Sequence, residues 1–443
     1  AALARALAQT GHPEEAEQIL KQLIEIDPDN RSAWNQLAQT LFLQDDRVTE
    51  AVQILAALVQ SDPTDPEALY MMGKVYESGE DVESAKDLYQ QILRHHPDDI
   101  RAEAALKDLE RTESGSQLPS LLFLGPPVSA TQNRLGIPAK ALNEDGYPVQ
   151  VGTSWSENDA PPCDVVVISQ PHTNTDFIEA FLHYKSSGKK VYIDLDMHFP
   201  SIPENHPLYD TAGPGNPDGL EALEQILDTA DGLLVSSQAL GEAYKAPGRE
   251  IHVFPPVWDP GNPLWEEPAE KREEIHLGLV GSQVLPDDAR ILVPVLEELF
   301  EQHENLKLVV LENFELLDLF EGIDEHHKLF LPASRYEDYP YQLSHIDILL
   351  VPGEDTPFNR ARSDRPLMEA GIRGIPWVAS DFPSFNKWKG EGVLVKALTE
   401  WTKVITNCIS NSEYLSNPIR YASNKTSSRK IQNELESWRK MFM

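Results

Sequence analysis

The stretch "DTPFNRARSDRPLMEAGIRGIPWVASD" (355–381) sets Arg360, Arg362 and Arg365 within six positions. The rest of the chain is strongly acidic, with 72 Asp and Glu against 37 Lys and Arg over 443 residues. Guanidinium forks meet phosphate oxygens two at a time. Ser363 can cap a helix that begins at Asp364. Pro366 is tolerated in its first turn, and Gly374 and Pro376 stop it. Arg360 and Arg362 then stand in the loop at a helix N-terminus, where free backbone N–H groups and the dipole already favour an anion. A diphosphate is the natural guest. Glu369, one turn beyond Arg365, offers a carboxylate to two ribose hydroxyls. The same spacing also fits an exposed Arg365–Glu369 pair worth about 0.2–0.5 kcal/mol, with Arg360 and Arg362 merely solvated. Charge alone does not choose between them.

Other polar residues fall at the ends of apolar runs. His172, in "SQPHTNTD", could touch a sugar or a departing phosphate, or simply be solvated. Asp194 and Asp196 form a D-x-D, which suits hydroxyl binding or loop capping better than a metal; His198 lies beside them. Arg134, in "SATQNRLGIPAKAL", could reach a phosphate or an acceptor, or be a surface charge at a helix start. Gly125 gives the tight turn that lets this loop approach a cleft. The chain has no Walker A loop, no HExxH and no Cys/His cluster at zinc spacing, so no cofactor of those kinds is expected.

Composition narrows the partners. A formal net charge of −35 leaves no broad basic face for nucleic acid or an anionic membrane surface. Any phosphate must therefore be met by a local cluster. No apolar run of about 18 residues and no basic-then-apolar leader is present, so no membrane span is expected. Cys163 and Cys408 are too far apart to suggest a disulfide framework, and a reducing cytoplasm fits. The opening residues already read as helix, as expected of a piece of a longer protein.

The elements that must position these residues come in two kinds. In the first third, three segments align at a period of 34 to 35 residues: 11–30, 33–65 and 68–99. Ala16, Ala51 and Ala85 fall where paired helices must approach closely, and Pro28, Pro63 and Pro97 end the second helix of each pair. Trp34 and Leu69, then Leu37 and Met72, fill the first-helix face. This pattern resembles the tetratricopeptide repeat. The resemblance implies a superhelical array whose concave face holds a protein or peptide partner, or an array used for self-association or spacing. A polar helix over 100–113 suits a cap, and "ESGSQLPS" (113–120) reads as a junction.

From Leu121 short apolar runs alternate with helical stretches, the pattern of parallel α/β sheets. Strands are expected at 121–125, 165–169, 190–196, 232–237 and 251–256, and again at 275–282, 307–312, 328–333, 346–353 and 376–381. Between these sets, 258–274 reads as an irregular, proline-rich linker. The fold class expected is α plus α/β: repeats with a capping helix over 1–113, then Rossmann-like domains over 119–265 and 273–443. A final helix is expected to return to the first of those domains. The two domains enclose a cleft at the carboxyl ends of their strands.

Along this second region the motifs resemble glycosyltransferase family 4. "FNRARSDRPLME" (358–369) resembles that family's "F-N-x-x-[KR]-S-x-x-K-x-x-E", and Glu369 to "GIP" (374–376) matches the "E-A-x-x-x-G-x-P" that follows. "LVGSQVLPDD" (279–288), "DVVVISQPH", "KKVYIDLDMHFPSIPENHPLY" and "ADGLLVSSQALGEAY" fall in the family's order. The resemblance implies a GT-B fold and a retaining, metal-independent transfer from a nucleotide-diphosphate sugar. It places Gly281, Ser282, Asn359, Arg360, Arg362, Ser363, Arg365 and Glu369 around the donor, with His172, Arg362 and Arg365 at the chemistry. Arg134, Asp194, Asp196 and His198 then line the acceptor side. Three departures stand out. The family's first glutamate, eight positions before Glu369, is Ala361 here, and Pro366 stands where lysine is usual. The loop after the first strand of the nucleotide domain also lacks its usual Arg and Lys, so the three arginines are expected to replace those cations. The expected activity is hexosyl transfer to a protein or glycan. The rivals are a scaffold with a degenerate transferase domain and another GT-B enzyme such as a nucleotide-sugar epimerase.

Overall fold

The computed structural model describes residues 13–42, 44, 47–79, 81–99, 101–103, 105–106, 109, 118–127, 132–267, 272–410 and 424–442. The chain divides into two compact units, Ala1–Ser120 with Asn158–Cys163, and Leu121–Glu157 with Asp164–Met443.

The first unit contains helices Pro13–Ile26, Arg31–Phe42, Val48–Ser61, Pro66–Ser78 and Val82–His95. Ala16, Ala51 and Ala85 are wholly buried, because only a methyl-sized side chain fits where paired helices touch. Gly73 serves the same end: a Cβ there would lie 2.5 Å from the Tyr89 ring. Asp65 caps its helix by accepting from the Glu67 and Ala68 N–H groups, with Pro66 in the first turn. Charge pairs link one repeat to the next. Arg31 meets Asp65 at 2.7 Å and Arg101 meets Glu67 at 2.7 Å, each 34 residues apart. Asp159 joins this network at 3.3 Å from Arg101. Most of the expected cap over 100–113 and of the junction over 113–120 lies outside the described residues, as does Gly11.

The second unit holds two six-stranded, all-parallel sheets. The first consists of β1 (Leu121–Leu124), β2 (Val149–Gly152), β3 (Val165–Ser169), β4 (Lys190–Leu195), β5 (Gly232–Val235) and β6 (Ile251–Val253), in the order β2-β1-β3-β4-β5-β6. The second consists of β7 (Ile275–Val280), β8 (Leu306–Glu312), β9 (Lys328–Pro332), β10 (Ile348–Val351), β11 (Trp377–Ser380) and β12 (Val393–Val395), in the order β12-β11-β10-β7-β8-β9. The inner strands are buried on both faces, as helix-covered parallel sheets require. Winding reverses between β1 and β3 in one sheet and between β7 and β10 in the other, which opens a crevice at their carboxyl ends.

Three features differ from the sequence expectation or extend it. β2 and β12 are edge strands of only four and three residues, too short to stand out as apolar runs. The proline-rich stretch at 258–274 is not a bare linker, since Trp258 and Trp265 are buried in the core of the second sheet. The helix Ile431–Phe442 lies on the first sheet, with Trp438 against Phe123 and Phe254 and Arg439 paired with Asp145. Among the described residues, no helix is long and apolar enough to cross a membrane.

Candidate functional site

The arginine stretch does not run as one loop into one helix. A short helix, Pro357–Ala361, capped by the Thr356 side chain, precedes a break at Arg362, where ψ is 157°. The next helix spans Arg365–Arg373 and ends on Gly374 in the left-handed conformation (φ 68°). Asp364, not Ser363, is its N-cap, and its side chain makes no cap bond. The buried Asp364 carboxylate instead accepts from Trp388 at 2.7 Å and pairs with Arg429 at 2.7 Å and Lys387 at 2.9 Å. Ser363 Oγ is only 3.5 Å from the Arg365 N–H.

This break sends the three guanidinium groups to three places. Arg360, on the short helix, is exposed and pairs with Asp355. Both line a cavity of about 560 Å³ with Phe382, Lys396 and Trp401, beyond the carboxyl ends of β10 to β12. Arg362 turns inward, donating to the Gln283 carbonyl and, at 3.5 Å, to Asn359 Oδ1. Arg365 donates to Glu369 at 2.7 Å. The sequence expectation of Arg360 and Arg362 side by side at a helix start is corrected accordingly.

The switch point of the second sheet gathers Arg362 with residues far off in sequence. Asp288, buried, accepts from the Glu354 N–H at 2.8 Å and from Asn359 Nδ2 at 2.7 Å; its other oxygen has no partner among the described residues. Burial pushes the Asp288 pKa up, and the Arg362 charge works against that rise. Burial lowers the Arg362 pKa, with Asp288 opposing. Among the described residues, Arg362 has no carboxylate within ion-pair distance.

Glu369, 1 % exposed, accepts from Arg365, from Gln283 Nε2 at 2.7 Å and from Tyr339 Oη at 3.1 Å. Burial works against the Arg365 charge, but Glu369, Tyr336 and Tyr339 hold its pKa up. The pair is therefore interior, not the exposed pair the spacing also allowed. Both Glu369 oxygens thus have protein donors, one on Oε1 and two on Oε2. Gly281 is needed for packing: a Cβ there would lie 2.3 Å from the Asn313 side chain. The neighbouring Ser282 N–H is held at 3.1 Å by Glu312.

Across the crevice, Arg134 forms a buried pair with Asp194 and donates to the Phe254 carbonyl, so it is not a free surface charge. Ser169 and Arg134 engage Asp194, and Gln170 donates to Asp196 at 2.9 Å. Burial and then Asp194 raise the Asp196 pKa, while Arg134 and Arg365 pull it down. His172 is 6 % exposed and edge-on to Phe199 at 4.3 Å, and neither ring nitrogen makes a well-aligned hydrogen bond among the described residues, although the Ala212 backbone lies near the ring. Burial pushes its pKa down to about 4, opposed in part by the Ala212 backbone. His198 bonds Ser201 at 2.7 Å and is likewise lowered by burial. Among the hydrogen bonds that bridge the domains are Ser237 Oγ to the Ala361 carbonyl (2.9 Å) and Asn133 Nδ2 to Tyr336 Oη (3.1 Å). Sequence reasoning did not single out Gln283, Asp288, Tyr336, Tyr339 or Asn133. They come from three separate segments that meet only in the folded chain. Among the described residues, no group of His, Cys, Asp and Glu is arranged to hold a metal ion.

Residues 1–66 and 42–109 match the tetratricopeptide repeat family. The N-terminal region is a tetratricopeptide repeat array. No curated protein matches the chain in sequence. Among solved structures, Anabaena Alr3699/HepE in complex with UDP and glucose aligns with a TM-score of 0.52 at 16% identity, over 73% of this chain and 99% of that one. Sucrose-phosphate synthase from Thermosynechococcus elongatus aligns with the same TM-score at 11% identity, again over 73% and 99%. From Leu121 onward the chain has the GT-B fold. Its two sheets are the two Rossmann-like halves of that fold, and Arg362 and Asp196 lie on opposite sides of the crevice between them.

Proposed function

We propose that the GT-B region is a glycosyltransferase that takes a sugar, of hexosyl type, from a nucleotide-diphosphate donor. One observation carries this reading: Arg362 is a half-buried guanidinium at the switch point with no anion paired to it among the described residues. A cation withdrawn from water calls for an anionic partner, and a diphosphate at the strand carboxyl ends supplies one. Arg362 would exchange the Gln283 carbonyl for phosphate oxygens, with Asn359 steadying it. Arg365 would add its charge as negative charge develops on the leaving diphosphate. Glu369 positions Arg365 and Gln283. His172, neutral at physiological pH, would contribute a hydrogen bond and not a proton. Asp196, held by Gln170, faces the transferred sugar or the acceptor.

The UDP and glucose bound to Anabaena HepE, on the same fold, support a nucleotide sugar as the substrate class. Family 4 character, retention and independence of metal follow from the motif resemblance around Glu369. The repeats would present a protein acceptor, and the setting would be the cytoplasm. A thermal-shift screen against UDP-, GDP-, ADP- and TDP-sugars, with hydrolysis followed in the same wells, tests the reading. Stabilisation and slow hydrolysis of one donor support it; no response to any donor contradicts it.

A further inference from the structure

Only two non-glycine residues have positive φ among the described residues: Gln170 (52°), after β3, and Glu312 (70°), at the end of β8. Both stand at strand carboxyl ends. Gln170 is engaged with Asp196. Glu312 is the centre of a γ-turn, closed by the Asn313 N–H on the Leu311 carbonyl at 2.8 Å. A γ-turn with its centre in the left-handed region is rare and strained. Such strain is retained where a side chain must be aimed. Here the turn presses on Gly281 and sends the Glu312 carboxylate to the Ser282 N–H at 3.1 Å. Glu312 is half-buried and Ser282 exposed, so both can be reached from the crevice.

The position has chemical meaning. In dinucleotide-binding sheets of this strand order, the loop after the first strand receives phosphates, and an acidic side chain at the end of the second strand accepts ribose hydroxyls. β7 and β8 are those strands, and Glu312 ends the second. Glu369 is engaged by three protein donors. For Glu312, the Ser282 N–H is the one donor the structure places on its carboxylate among the described residues.

We propose that Glu312 is the carboxylate that accepts the ribose hydroxyls of a nucleoside diphosphate, and that its departure from Ser282 frees that N–H for a phosphate oxygen. The inference rests on the donor reading above. The Glu312–Ser282 hydrogen bond gives each group a partner within the chain. When the nucleotide enters, each takes its own part of the ligand.

Calorimetry on the full chain tests this with UDP, GDP and ADP, their 2′-deoxy counterparts, and pyrophosphate. For whichever ribonucleotide binds, the parent should prefer it to the 2′-deoxy form. Glu312→Ala should weaken ribonucleotide binding by about tenfold, the loss of one charge-assisted hydrogen bond, and erase that preference, while pyrophosphate binds no more weakly. Glu312→Gly should do the same with a denaturation midpoint at or above the parent's, since glycine relieves the left-handed turn; a loss of binding there is not a loss of fold. An unchanged ribo-to-deoxy ratio would overturn the proposal alone. Tighter binding of ribonucleotide and pyrophosphate alike would also overturn it, showing that the carboxylate only mimics phosphate. A parent that binds none of the three nucleotides would overturn the donor reading itself.

Discussion

Arg365 Nε donates to Glu369 Oε1 at 2.7 Å, one helical turn away, and the two side chains are 14 % and 1 % exposed. The pair ties the helix Arg365–Arg373 to the loop after β7, because Glu369 also accepts from Gln283. Removing one member of such a pair strands the other charge away from water. Glu369→Leu should therefore destabilise the protein by about 3 kcal/mol, read from denaturant midpoints. The double variant Arg365→Met/Glu369→Leu should recover most of that loss. Purely additive losses would mean that the two side chains do not act as a pair.

His172 gives a pH dependence. The unfolded chain takes up a proton at this residue near its ordinary pKa of about 6.5, whereas the folded chain refuses it until about pH 4. The unfolded state thus binds more protons between those values, and stability falls as pH falls across that window. His172→Gln should flatten this part of the stability curve relative to the parent, measured by denaturant unfolding between pH 4 and 7. His198, His206 and His276, also lowered by burial, leave a residual slope in both proteins. Identical slopes would place the His172 ring in water.

Donor hydrolysis should persist in EDTA, because arginines and not carboxylates meet the diphosphate in this account. Loss of turnover in EDTA, restored by Mn²⁺ or Mg²⁺, would show that a divalent ion does the work assigned to Arg362 and Arg365.

In the repeats, Gly73→Ala would drive a methyl group into the Tyr89 ring. The expected cost is about 1–3 kcal/mol, confined to the unfolding of the repeats, with donor binding unchanged. A variant as stable as the parent would mean that the helices part easily at this contact.

The repeats and the sheets were legible for different reasons than the site. Ala16, Ala51 and Ala85 recur because each repeat faces the same packing problem, and buried parallel strands leave unbroken apolar runs such as Val165–Ser169. The edge strands β2 and β12 left no such run. At the site, sequence proximity misled. Arg360 and Arg362 are two positions apart, yet the helix break at Arg362 turns one to Asp355 and the other to Gln283. Conversely, Gln283, Tyr339 and Glu369 meet from three separate segments, and nothing local in any of them encodes the meeting. Asp364 looked like an ordinary helix start, whereas its carboxylate holds Arg429, Lys387 and Trp388. Such partners come from chain crossings at the carboxyl ends of strands, which periodicity does not reach.

The central claim is that Arg362 meets the diphosphate of a nucleotide donor. Calorimetric titration of UDP, GDP and ADP into the full chain and into Arg362→Ala tests it most directly. The account predicts that at least one nucleotide binds the parent and that the substitution weakens it by about 1.5–3 kcal/mol, the range for a hydrogen bond to a charged group. Equal affinity in the two proteins, for every nucleotide that binds the parent, would contradict it.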